Sequence, residues 1–200
     1  MSRKPEQIAA FFRNAAKRDL FASVFVFLVA QLESFMVSIC RLVLRHDSRR
    51  LKTRVPGIDH INKIETAEII ESASRDDLIE RLIEREMQAV SYSRPAAFFV
   101  YLERVIGITL REDLRDSWTE MKATRDVIVH NSGIVNATYL EKSGAKGRGA
   151  LGTLIPFDEA YFEQCVATIK SIVGCSEASV RKSLKPKSQP DGAISPAECD

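Results

Sequence analysis

Arg125 and His130 are the two residues whose types and spacing most suggest chemistry. They bracket the run Arg125-Asp126-Val127-Ile128-Val129-His130, which Asn131-Ser132-Gly133 follows. Arginine offers a permanently charged, planar fork that fits two phosphate or carboxylate oxygens at once. An unperturbed imidazole titrates at about 6.5, so it can take or give a proton near neutrality. A cation for developing negative charge and a group for proton transfer together make a minimal acid–base site. On a helix, Asp126 stands one turn before His130 and can orient its ring. Arg125 and His130, five residues apart, diverge by roughly 140° around an ideal helix. A shared substrate therefore requires a long arginine reach, a distorted last turn or a second copy of the helix. The plain alternative is a histidine that caps a helix C-terminus, where the macrodipole favours a cation.

The element that must position these groups is legible upstream. Leu114, Trp118, Met121 and Ile128 recur at three- and four-residue steps or their sum, which predicts an amphipathic helix. Asn131-Ser132-Gly133 has the composition of a helix stop, with glycine free to turn left-handed. One further long helix, or two joined end to end, is expected from Gln7 to about Arg50, an interval without proline or glycine. On it Gln31, Ser34, Ser38, Arg41 and Arg45 form a polar stripe, while Glu33 falls among Val29, Met36, Val37 and Cys40. A carboxylate on an apolar face must be paired, bonded or neutral. Glu33 is expected either to meet a structural arginine or reach a gap, or to face the motif helix within reach of Arg125 or His130.

Arg125, the polar residue after it and a histidine after four intervening positions resemble the Arg–(four to six residues)–His signature of the HEPN superfamily. The continuation His130-Asn131-Ser132-Gly133-Ile134-Val135-Asn136, with Tyr139-Leu140 behind it, is similar to bacterial HEPN proteins of defence and toxin type. Leu28 to Phe35 resembles the first helix of many such bundles. The resemblance covers about residues 15–175. It implies an all-α, HEPN-like helical bundle, usually dimeric, whose catalytic members are metal-independent endoribonucleases with sites at the dimer cleft. RNA carries its own nucleophile, the 2′-hydroxyl. Cleavage then needs proton removal, charge stabilisation at phosphorus and proton delivery to the leaving oxygen. The expected catalytic set is Arg125, His130, Asp126, Asn131 and Glu33, with Asn131 bonding phosphate or base and no cofactor or metal. The expected partners are RNA, transfer RNA among the candidates, a second copy of the chain, and an antitoxin or antiviral-defence protein. The rival is a non-catalytic helical module that binds nucleotide, RNA or protein.

Composition sets outer bounds. Forty-five per cent hydrophobic and 28% charged residues over 200 positions suit one soluble domain with an ample core. A net charge of +2 means that nucleic-acid affinity must come from local patches. Cys40, Cys165, Cys175 and Cys199 show neither metal-ligand nor disulfide spacing, as expected of reduced thiols in the cytoplasm. Leu20 to Ala30 is apolar but short, and reads as a core helix and neither a secretory signal nor a membrane span.

Further elements follow in order. Arg41 to Arg54 holds Arg41, Arg45, Arg49, Arg50, Lys52 and Arg54 against Asp47 alone. It reads as a solvated helix end or as a track for RNA phosphates. His46 and His60 are expected at the surface. Ser74 caps a predicted helix whose apolar side is Leu78, Ile79, Leu82, Ile83 and Met87, running to about Val90. Pro95 opens another that buries Phe98, Phe99, Tyr101, Leu102 and Val105 and closes at Gly107. Lys146 and Arg148 sit in a glycine-rich loop, either plain surface or a flap over substrate phosphates. Strand-like sequence is limited to Gly133–Leu140 and Leu151–Ile155. Asp158 caps a last helix with Tyr161, Phe162, Val166, Ile169 and Val173 on its apolar face. Residues 1–178 form the expected domain, with 51–94 a candidate insertion and 179–200 an expected disordered tail.

Overall fold

The longest of the described helices comes first. In this computed structural model, which describes residues 5–61 and 63–184, α1 spans Pro5–His46. A 3₁₀ turn, Ser48–Lys52, follows it. The remaining helices are α2 Thr66–Glu71, α3 Arg75–Ser91, α4 Pro95–Tyr101, α5 Glu112–His130, α6 Ala137–Ser143 and α7 Glu159–Ser183. The architecture is all-α, and among the described residues β-pairing is limited to an isolated antiparallel bridge, Ile134 to Leu154.

The periodicity of α1 explains its central place. Phe25, Val29, Leu32, Met36, Cys40, Val43 and Leu44 are buried along one side, where α3, α5 and α7 pack. The polar stripe of Gln31, Ser34 and Ser38 is exposed. By length and composition Arg18–His46 is apolar enough to cross a membrane, a longer window than the run that ends at Ala30. Arg41 pairs with Glu84 at 2.7 Å and Arg45 with Glu80 at 2.6 Å, fastening the outer side of α1 to α3.

Local signals end the helices where chemistry requires. The Ser74 hydroxyl accepts the Asp77 N–H at 3.1 Å, Asn136 accepts that of Tyr139 at 2.8 Å, and Asp158 that of Tyr161 at 2.8 Å. Pro95 occupies the first turn of α4. A π-turn, Leu102–Ile106, extends α4 and closes at Gly107, whose φ of 87° favours glycine. Arg50 Nη1 donates to the orphan carbonyls of Val105 and Ile106 at 2.9 and 3.0 Å, and Nη2 donates to Ser183 Oγ at 3.1 Å. The end of α7 is thereby held in place. Residues 179–183, expected in a disordered tail, are therefore helical, with Val180 buried, because Arg50 and the core give them partners. Residues 185–200 of that expectation lie outside the described residues.

The interval 51–94 contributes to the main core. Val55, Ile83, Met87 and Val90 belong to the same hydrophobic cluster as α1. The expected surface histidines divide. His46 is exposed, but His60 is buried. The turn after Pro56 folds the chain back, so His60 Nε2 accepts the Val55 N–H at 2.7 Å and Nδ1 donates to the buried Glu86 at 2.8 Å. Sequence spacing does not show this contact, because Glu86 arrives from a distant helix. Tyr139 and Leu140, read as strand-like, instead lie in α6 once Asn136 caps it. Val135 donates to Thr153 O at 2.9 Å and Ile155 to Gly133 O at 2.8 Å, so only the flanks of those segments pair.

Candidate functional site at the end of helix α5

Packing fixes the rotation of α5. Leu114, Trp118, Met121 and Val127 are buried, and Phe98 and Phe99 meet Trp118 edge-on at 5.4 and 5.6 Å. That rotation turns Arg125 toward α1 and leaves His130 exposed at the helix end. The helix closes as Asn131 and Gly133 both donate to the Val127 carbonyl at 3.0 Å. Two consecutive left-handed residues, Ser132 at φ 51° and Gly133 at φ 75°, reverse the chain. A side chain at Gly133 would also come within 3.3 Å of Leu154. The Asn131 amide donates to Ile134 O at 2.5 Å, which commits one of its two N–H groups to this turn.

Arg125 lies in an acid-flanked seat. Its Nη2 donates to both Glu33 oxygens, at 3.1 and 3.0 Å, and Nη1 is 3.3 Å from Asp126 Oδ1. Lys122 Nζ approaches Glu33 Oε1 at 2.9 Å. The side chains of Glu33, Lys122 and Arg125 remain 28%, 31% and 25% exposed, so both cations can still meet a solute. They line a cleft of about 200 Å³ with Trp118, Ser91 and Ser93. Arg125 Nε and Trp118 Nε1 are buried with no hydrogen-bond partner among the described residues.

His130 lines a different cleft, of about 250 Å³, with Asp126, Asn131, Asn136, Thr138 and Lys142. Asp126 is thus beside His130, but its oxygens face Arg125 and, at 3.5 Å, Lys142 Nζ. In place of the expected orientation of the His130 ring, Asp126 makes two cation contacts. Among the described residues the His130 side chain has no hydrogen-bond or ion-pair partner. Arg125 and His130 therefore address separate clefts of one protomer, with Asp126 between them.

The outlying basic residues are less free than their sequence suggests. Arg41 and Arg45 are engaged by Glu84 and Glu80 through bidentate contacts. Lys146 Nζ donates to Ser117 at 3.1 Å. Arg148 is built into the interior edge, with its guanidinium 3.3 Å from the Tyr161 ring centroid and Nε donating to Glu120 at 3.1 Å. Neither residue lines the Arg125 or the His130 cleft.

Glu120 was not singled out from sequence, yet it organises the base of α5. Only 4% exposed, it accepts from Thr124 at 2.6 Å, Tyr139 at 2.9 Å, Tyr161 at 2.8 Å and Arg148. Four donors match the roughly four acceptor sites of a carboxylate. Burial pushes the Tyr139 and Tyr161 phenols above their ordinary range, which keeps them protonated as donors. The network locks α5 to α6, α7 and the Arg148 loop. Lys122 and Lys142 were also missed. Lys122 had a signal, since it precedes Arg125 by three residues and so shares its face.

Among the described residues no group of three or more histidine, cysteine or acidic side chains is arranged to hold a metal ion. No family model matches the chain, and no curated protein or solved structure matches it either.

Proposed function

We propose that the protein is a metal-independent endoribonuclease of the HEPN type, cleaving RNA by general acid–base catalysis. The observation that carries this reading is the placement of Arg125 and His130 on one rigid helix end. The first is gripped by carboxylates yet accessible, and the second is exposed and unpartnered among the described residues. Arg125 would hold the phosphate oxygens, His130 would transfer a proton, and Asn131 would bond phosphate or base through its uncommitted groups. Glu33 and Asp126 would position Arg125. The products would be a 2′,3′-cyclic phosphate and a 5′-hydroxyl.

Since the two groups open onto separate clefts, the reading includes a homodimer in which the motif helices meet across a two-fold axis. A cytoplasmic toxin–antitoxin or phage-defence setting, with RNA as substrate, completes the proposal. The rival, a non-catalytic module binding nucleotide, RNA or protein, is favoured by the lack of an orienting partner for His130 among the described residues. Incubation of the purified chain with total and transfer RNA, chelator present, decides between them. Cleavage with cyclic-phosphate ends supports the nuclease, and RNA bound but intact supports the module.

A further inference from the structure

Periodicity assigns Leu78 and Leu82 to the buried side of α3, but the fold leaves both outside its core clusters. They instead line a cleft of about 610 Å³ with Leu51, Ile61, Ile64 and Ile79. That size falls within the roughly 300–1,000 Å³ of small-molecule sites. The walls are aliphatic, and among the described residues the lining contains no aromatic ring on which a base could stack. Ile64 is 40% exposed, an apolar surface that a soluble fold ordinarily covers.

The rim is cationic. Arg49, Lys52, Arg54, Lys63 and Arg75 line the cleft, and among the described residues the one acid lining it, Glu86, is buried against His60. Asp47 compensates Arg49, whereas among the described residues Arg54 donates only to the neutral carbonyl of Ile61. Lys52, Lys63 and Arg75 have no hydrogen-bond or ion-pair partner among the described residues. Pairing elsewhere thus divides the basic run Arg41 to Arg54. Arg41, Arg45 and Arg50 hold the fold together, and what remains uncompensated gathers around an aliphatic trough.

We infer that this cleft binds a free amphiphilic anion, an alkyl chain ending in a carboxylate or phosphate. The chain would lie on Leu78, Leu82, Ile61 and Ile64, and the head would meet Lys52, Lys63 and Arg75. Aliphatic walls favour an alkyl chain over a nucleotide, and the cationic rim favours an anionic head. The site is separate from Arg125 and His130, so it stands or falls independently of the nuclease reading.

Calorimetric titration of the full chain with octanoate, decanoate and dodecanoate, each below its micelle threshold, tests it. Each added methylene should tighten binding about fourfold, the equivalent of about 0.8 kcal/mol of apolar transfer, until the trough is full. The corresponding alcohols should bind more weakly. Lys63→Glu with Arg75→Glu should weaken dodecanoate by about tenfold through reversed charge. Ile64→Glu, at an exposed position, supplies a second variant that spares the core. Affinity independent of chain length, equal binding of pyrophosphate or ATP, association only with anionic vesicles, or full dodecanoate affinity in the charge-reversed chain would each overturn the inference.

Discussion

Glu33 on α1 takes hold of Arg125 on α5 through both carboxylate oxygens, at 3.1 and 3.0 Å, across 92 residues of chain. Lys122 shares the same carboxylate, so one acid sets the direction of two cations. Glu33→Gln keeps the shape and removes the charge. The expected result is a folded protein less stable by about 0.5–1 kcal/mol, as suits a pair still in contact with solvent. RNA cleavage should fall about tenfold as the arginine loses its fixed pose. Unchanged cleavage with the expected stability loss would make the pair purely structural.

His130→Ala should abolish cleavage while leaving the melting temperature within a degree or two, since an exposed helix end contributes little core volume. Arg125→Lys should be severely impaired, because an ammonium cannot reproduce the planar fork. Cleavage that stops with EDTA and returns with Mg²⁺ would defeat the proposed mechanism.

Separate clefts for Arg125 and His130 make assembly testable. Mixing inactive Arg125→Ala and His130→Ala chains should restore one intact site per mixed dimer. Random exchange at one-to-one then predicts about a quarter of wild-type activity. Light scattering that finds a fully active monomer at high micromolar concentration would rule out the composite site.

Arg148→Ala removes a guanidinium that touches Glu120, Thr124 and the Tyr161 ring. The buried acid keeps three hydroxyl donors but loses its counter-charge. Thermal or urea unfolding should report a loss of about 3 kcal/mol. A change under half a kilocalorie would show that the hydroxyls alone satisfy Glu120.

Burial pushes the Cys40 thiol up to about 12 and Cys165 up to about 11, while Cys175 is exposed. With Cys199 replaced by serine, one thiol should react quickly with an aromatic disulfide at about pH 8. Two more should react only on unfolding. Because burial raises the folded value of Cys165 above the unfolded one, its contribution is complete below the unfolded pKa. It is then lost as pH rises through the folded value. Wild type should therefore lose more stability than Cys165→Ala between about pH 8 and 10.5, measured by urea unfolding.

What the chain's own order determined is local. Steps of three and four residues placed α1, α3, α4, α5 and α7, and Ser74, Pro95, Gly107 and Asp158 marked ends among them. The helical angle of Glu33 already marked its carboxylate as needing a partner or a gap to solvent, and the fold chose Arg125 and Lys122. Short α2 and α6 escaped notice, since six or seven residues barely exceed a turn or two of period. Only the tertiary structure decided which charges were spent. Arg41, Arg45, Arg50 and Arg148 are engaged by partners from other elements, His60 is drawn inside by Glu86, and Asp126 turns from His130 to two cations. The physical reason is that helix periodicity arises from backbone geometry within one segment. Ion pairing instead depends on distances of a few ångströms between segments that only folding brings together.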